Sequence, residues 1–337
     1  MIRSEEFDEY QLPEGVSAVR ILYHSRSANG EDVAATGVVL TPDEKPPSEG
    51  WPVIAWAHGF TGIARQCSPS LMRNLNEGPF LSMYVKLGYA VVAPDYVGLG
   101  TKFRNASIDM QSNAADVIYS IPAARAAVPQ LGHKWVALGE SAGGLAALAV
   151  AELEHDIRDP DYLGSVAVSG VADAKGFFEE IAKGNSPGKF LFLAYAVQTL
   201  YPKFEANQIL AEKGLAMYQE LGSACEATSA GPEGVVSQLL KPDWEGNSFV
   251  RQFFERNIIG GKPAYGPLLI ISSDSDPAAR TGLTARAAED LCKQHDLVEF
   301  HRYPGSEFAG VLGDSVRYQL TWIQARFAGR PAVSNCH

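Results

Sequence analysis

Four short apolar runs punctuate the chain: residues 52–57 (PVIAWA), 89–94 (YAVVAP), 163–169 (LGSVAVS) and 267–272 (PLLIIS). A run of this length without polar alternation suits a strand covered on both faces, as in a parallel sheet. Residues 135–138 (WVAL) and 297–303 read as two more strands. Ahead of them, residues 19–25 and 33–40 flank a turn at Ala28-Asn29-Gly30, a hairpin signal, and 45–50 reads as a loop. Helical periodicity appears at 112–128, where Pro122 predicts a lost turn or a kink, and at 284–294 and 314–327. The small residues of 144–152 (GLAALAVAE) predict a helix able to pack close to a sheet.

Strands alternating with helices predict an α/β fold with a mainly parallel, doubly wound sheet, opened by an antiparallel hairpin. Residues 173–262 break the alternation: they are rich in Phe, Leu, Tyr and Gly and hold no buried-strand run. They are read as a helical cap inserted between two parts of the core, 1–172 and 263–337. No internal repeat or low-complexity tract is visible.

Of the 337 residues, 46% are hydrophobic and 20% charged, which suits a globular protein and opposes disorder. The net charge of −11, with no Lys/Arg run, excludes nucleic acid as an expected partner and disfavours an anionic membrane surface. No apolar stretch reaches the roughly 18–20 residues of a membrane span, so stable membrane insertion is not expected. The first ten residues are acidic and lack the apolar stretch of a signal peptide. That fits an intracellular protein or one whose leader has been removed. Cys67, Cys225, Cys292 and Cys336 are too scattered for a CxxC motif. They read either as four buried thiols in a reducing compartment or as two long-range disulfides in a secreted protein. No metal is implied, because the histidines lack ligand spacing, and no organic cofactor, because no Gly-rich nucleotide loop follows the early strands.

The candidate chemistry lies at Gly139-Glu140-Ser141-Ala142-Gly143, between the 135–138 strand and the small-residue helix. This is the G-x-S-x-G nucleophile elbow, in which a strained turn exposes the serine Oγ. A serine hydroxyl is a poor nucleophile until a base takes its proton. One oxyanion donor should be the N–H of Ala142; a second should come from His58-Gly59-Phe60-Thr61, where Gly59 permits close backbone approach. An ordinary strand-to-loop turn is the competing reading of that segment. The order strand, His-Gly, strand, elbow, strand, insertion, strand with Asp, strand is that of an α/β-hydrolase, whose triad runs Ser, Asp/Glu, His. The acid falls in Ser273-Asp274-Ser275-Asp276-Pro277, with Asp276 preferred by position and Asp274 as alternative; either could instead cap a turn.

Several segments together resemble the secretory lipase family of α/β-hydrolases: Trp56-Ala57-His58-Gly59-Phe60-Thr61-Gly62, Cys67-Ser68-Pro69-Ser70, Ala93-Pro94-Asp95-Tyr96-Val97-Gly98-Leu99-Gly100-Thr101, the elbow with Gly144, and the stretch from Tyr303-Pro304-Gly305 to Cys336. The resemblance implies lipase or esterase activity on carboxylic esters through a Ser-Asp-His triad. It implies an oxyanion donor at Phe60 or Thr61. It also implies the pairs Cys67–Cys225 and Cys292–Cys336, and hence secretion; otherwise the cytoplasm is expected. One departure matters. The family's catalytic histidine precedes Ala-Gly in the loop after Tyr-Pro-Gly, and here that position is Phe308. Phenylalanine neither accepts nor donates a proton. Loss of triad members can lower turnover about a million-fold, leaving about a thousand-fold over water.

The other histidines offer no obvious substitute. His24, His133, His155 and His295 fall on early strands or surface segments, His337 is terminal, and His301 reads as a structural strand residue. His58 is expected to shape the oxyanion loop. Glu307 adjoins the vacant position and could act as a carboxylate base, though a solvated loop glutamate is the simpler reading. His58, Glu140 and Glu307 are therefore assigned to the substrate pocket. Two enzyme readings follow: an esterase or lipase relative that is slow or disabled at 308, or a non-hydrolytic enzyme such as a cyclase, lyase or isomerase using the oxyanion donors. A binding protein with a vestigial site is a third. Phe177, Phe178, Phe190, Phe192, Tyr195, Tyr201 and Phe204 read as cap core or as contacts to a small hydrophobic substrate.

Overall fold

One nine-stranded sheet organises the described part of the chain. The computed structural model describes residues 1–106, 108–183, 188–221, 225, 236–274, 280–305 and 310–336, the side chains of Arg280 and Thr281 aside. The chain enters as β1 (Arg3–Glu6), β2 (Val16–Arg26), β3 (Asp32–Pro42) and β4 (Trp51–Ala57). It continues through α1 (Gly78–Lys86), β5 (Ala90–Pro94), α2 (Met110–Ala127), β6 (Leu131–Glu140), α3 (Ala142–Ile157) and β7 (Tyr162–Val168). Four helices follow: α4 (Ala174–Lys183), α5 (Lys189–Leu200), α6 (Glu212–Glu220) and α7 (Ser248–Arg256). The chain closes with β8 (Leu268–Ser273), α8 (Arg280–Lys293), β9 (Val298–Tyr303), α9 (Val311–Asp314) and α10 (Val316–Phe327).

The strand order is β1-β2-β3-β5-β4-β6-β7-β8-β9. The pairs β1/β2, β2/β3 and β3/β5 are antiparallel, and every later pair is parallel. Alternation along β4 shows the two-sided burial that its apolar run predicts. Val53, Ala55 and Ala57 face the cluster built with α2, α3 and α8; Ile54 and Trp56 face the one built with α1 and α10. The fold is thus the α/β-hydrolase fold of the sequence reading.

A third apolar cluster draws Phe178, Phe190, Val197, Phe253 and Phe254 together from α4, α5 and α7. This segment leaves and returns at adjacent points. Ala174 N donates to Asn257 O (3.1 Å) and Ile259 N to Ala172 O (2.9 Å).

Boundaries move where side chains or tertiary pairing act. Helix α2 starts at Met110 because the Asp109 side chain accepts from Ser112 N and caps it, and it runs through Pro122 to Ala127. Strand β6 reaches back to Leu131, where it pairs with Trp51 of β4. β1 and α1 are not among the elements that the apolar runs predict. β1 is Arg-Ser-Glu-Glu, held as an edge strand by its register with residues 19–22 of β2, and α1 opens on Gly78-Pro79.

Candidate active site

Ser141 sits between the last residue of β6 and the first of α3, with φ 55° and ψ −119°. That left-handed φ costs a non-glycine residue about 1–2 kcal/mol, so the surroundings must enforce it. They do so through close backbone contacts. Ser141 N donates to Val168 O (3.0 Å) on the neighbouring strand. A Cβ at Gly139 would meet Gly143 O at 2.1 Å, one at Gly143 would meet Ala57 O at 1.9 Å, and one at Gly144 would meet the Gly170 Cα at 2.8 Å. The glycines of the motif are therefore a steric requirement for seating α3 against the sheet. Ala142 opens α3, where the first backbone N–H groups lack intrahelical acceptors and carry the positive end of the helix dipole.

The loop after β4 presses against this turn. A Cβ on Gly59 would lie 2.9 Å from Glu140 Oε2 and 3.6 Å from Ser141 Cβ. Ser141 and Glu140 are half-buried, whereas His58 is only 2% exposed. The His58 ring stacks on Tyr96 (centroids 4.2 Å, 26°), and its Nδ1 lies 2.6 Å from Gly59 O. The Tyr96 hydroxyl donates to His58 O (2.9 Å). Burial pushes the imidazole pKa down, and the nearby charge of Asp95 opposes that shift. Below the stack, Asp95 Oδ1 accepts from Ser70 N (2.8 Å), while Asp116 accepts from Val97 N (2.7 Å) and from the Ser25 hydroxyl. Burial pushes Asp116 up to about 7.

Phe60 is half-buried and meets Phe192 of α5 edge-on (4.7 Å). Thr61 is buried, and Gly62 forms an isolated bridge with Cys225. Cys225 is also disulfide-bonded to Cys67, so this loop is joined covalently and by backbone pairing to the segment after α6. Cys292 and Cys336 form the second disulfide, and no described cysteine is free.

Asp276, Glu307 and Phe308 lie outside the described residues. Because β6, β7, β8 and β9 are mutually parallel, β8 and β9 end on the same sheet edge as Ser141. Asp274, the alternative acid, is exposed just past β8, and its N–H donates to Tyr303 O (3.2 Å). His301 lies on β9, hydrogen-bonded with Tyr318 and 3.2 Å from Glu299. His24 faces Asp32, His133 faces Asp161 and His155 faces Asp156, all away from the elbow. Tyr96 and Asp116 are not visible as site-supporting residues in the sequence, although Tyr96 falls within a segment that resembles the family. Among the described residues no group of three His, Cys, Asp or Glu side chains could hold a metal ion, and no helix is long and apolar enough to cross a membrane.

Sheet order and the strained Ser141 turn apposed to Gly59 define an α/β-hydrolase fold. The secretory lipase family model matches residues 74–335, and the chain belongs to that family. It is 23% identical over 350 residues to the "probable inactive lipase" of Mycobacterium tuberculosis, covering 96% of this chain and 76% of that one. Among solved structures it is similar to closed Candida antarctica lipase A (TM-score 0.83, 18% identity, 99% of this chain and 83% of that one). It is also similar to the rice cell wall degrading esterase LipA of Xanthomonas oryzae (TM-score 0.76, 19% identity, 93% and 89%). The family and the two disulfides are consistent with secretion.

Proposed function

We propose that this chain handles the carbonyl of a small hydrophobic ester or acyl substrate through Ser141, and that its hydrolysis is slow because Phe308 stands where the family has its histidine. The observation that carries the reading is the apposition of Gly59 to Ser141 in a turn strained to φ 55°. Such strain persists where a structure over-determines it and clusters at functional sites. Ala142 N–H and an N–H of Phe60 or Thr61 would stabilise the tetrahedral oxyanion. Asp276, or Asp274 in its place, would be the acid. With Phe308 the Ser141 proton has no imidazole to accept it, so attack on the carbonyl lacks general-base assistance. His58, Glu140 and Glu307 would line the pocket, and residues 173–262 would act as a cap over it, favouring an apolar ligand and excluding water.

Restoring the histidine tests this. Phe308→His is expected to raise p-nitrophenyl ester hydrolysis by at least about 100-fold over the parent, within the range ascribed to general-base catalysis. No gain in a folded variant would overturn the reading of a disabled hydrolase. A fluorophosphonate should label Ser141 readily in Phe308→His and poorly in the parent, with Ser141→Ala as control. A second reading is a non-hydrolytic enzyme using the same oxyanion donors. It is compatible with the name of the mycobacterial relative, a probable inactive lipase. Absence of gain in Phe308→His, together with non-hydrolytic turnover of a carbonyl substrate by the parent, would select it; capture without turnover would instead mark a binding protein.

A further inference from the structure

We infer that Glu140 sets the charge preference of the site: its carboxylate, placed beside Ser141, selects esters that carry a cationic ammonium group within a few bonds of the carbonyl and rejects those that carry a carboxylate there. This rests on the proposed role of Ser141 and narrows its small hydrophobic substrate to a cationic amphiphile. Glu140 closes β6 and Ala142 opens α3, so Ser141 stands between an acidic residue and the positive end of a helix. Glu140 is half-buried, and its carboxylate reaches the loop after β4. A Cβ built on Gly59 would lie 2.9 Å from Glu140 Oε2 and 3.6 Å from Ser141 Cβ. The glycine thus leaves the space in which the carboxylate sits beside the serine.

Both distances start from one point, so the carboxylate oxygen and Ser141 Cβ are less than about 7 Å apart, close enough for a charge in a half-buried site to favour an opposite charge about 10–100-fold. The same charge is felt behind the site. Burial raises the Tyr96 phenol above its ordinary value, and the negative charges of Asp116 and Glu140 add to the rise. The His58 ring stacked on Tyr96 offers no opposing charge, since burial lowers its pKa and leaves it neutral at pH 7. Phe60, next in the loop, is half-buried and meets Phe192 edge-on. Aromatic surface beside a carboxylate suits a quaternary ammonium, which is apolar at its methyl groups and charged at its centre. An ester bearing a carboxylate would instead bring two like charges into one cleft.

The first test needs no hydrolysis. Three matched methyl ketones carry a trimethylammonium, a tert-butyl or a carboxylate group three methylenes from the carbonyl. Calorimetric titration of the parent chain at low salt should show the ammonium ketone binding at least about 10-fold more tightly than the carboxylate ketone. Glu140→Gln should lower the ratio of ammonium to tert-butyl affinity about 10-fold and relax the discrimination against the carboxylate by a similar factor. Ratios that stay within about threefold of the parent's overturn the inference, as does failure of the ammonium ketone to bind. If all three ketones weaken together, Glu140 is structural or acts on every ligand alike, and the inference falls. If Glu140→Gln does not fold, the parent's own order decides: a carboxylate ketone that binds as well as the ammonium ketone overturns it. The second test uses the p-nitrophenyl esters of the three corresponding acids with Phe308→His, where adding Glu140→Gln should shift the kcat/KM ratios in the same direction. Failure of Phe308→His to hydrolyse any ester, or equal hydrolysis once Ser141→Ala is added, would sink the Ser141 reading, while the ketone ratios still decide the role of Glu140.

Discussion

Arg256 grips Asp109 across 147 positions of sequence, with Nε 2.6 Å from Oδ1 and Nη2 3.0 Å from Oδ2. Asp109 is fully buried and also caps α2, and Arg256 Nη2 reaches Ala28 O (2.9 Å). The next residue, Asn257, accepts from Met110 N (2.7 Å). The end of α7 is therefore fastened to the start of α2 and to the β2–β3 turn.

Asp109→Ala should destabilise the protein by about 3–5 kcal/mol, because it strands a partly buried guanidinium and removes a helix cap. Arg256→Ala should cost a similar amount, by stranding a buried carboxylate. Denaturant unfolding of both and of the double variant should show a loss smaller than the sum. Full additivity would show that the pair is not coupled.

Glycines divide sharply by what surrounds them. Gly143→Ala drives a Cβ to 1.9 Å from the Ala57 carbonyl oxygen, backbone that cannot yield cheaply. It should cost more than about 3 kcal/mol, or leave the chain insoluble. Gly246→Ala meets no atom within 4 Å and should lie within about 1 kcal/mol of the parent. Thermal melts of the two variants check the contrast.

Burial pushes Glu154 from an ordinary 4.5 up to about 7, and Glu152 and Asp116 reach about 7 for the same reason. Each native carboxyl then binds a proton that its unfolded counterpart has released, between about pH 4.5 and 7 for the two glutamates and from about 3.8 for Asp116. Stability from these groups is complete below the unfolded pKa and is lost as pH rises through that window. Glu154→Gln keeps an acceptor for Asp159 N, which Glu154 Oε2 binds at 3.0 Å, and removes the buried charge. It should gain about 1–3 kcal/mol on the parent at pH 7.5 and little at pH 5. An equal effect at both pH values would contradict this.

The Cys292–Cys336 disulfide closes a span of 44 residues and ties the C-terminal segment back to α8. Replacing both cysteines with serine should lower unfolding stability by about 2–4 kcal/mol, as expected for loss of a long-loop crosslink. Urea titration under non-reducing conditions measures it, and reducing the parent should reproduce part of the loss.

Local chemistry determined much of this protein. The unbroken apolar runs at 52–57 and 267–272 specify buried strands because no polar position offers a solvent face. Gly139, Gly143 and Gly144 announce a turn that tolerates no side chain, and the segments around His58, Tyr96 and Ser141 together announce the family. Other features depend on which distant residues meet, and periodicity is silent about that. β1 has no apolar signal and is a strand only because β2 offers it an edge. Asp109 reads as a helix cap until Arg256 arrives from the far side of the chain. His58 reads as one half of a His-Gly turn. Only the tertiary structure stacks its ring on Tyr96 and seats Gly143 against the Ala57 and His58 carbonyls.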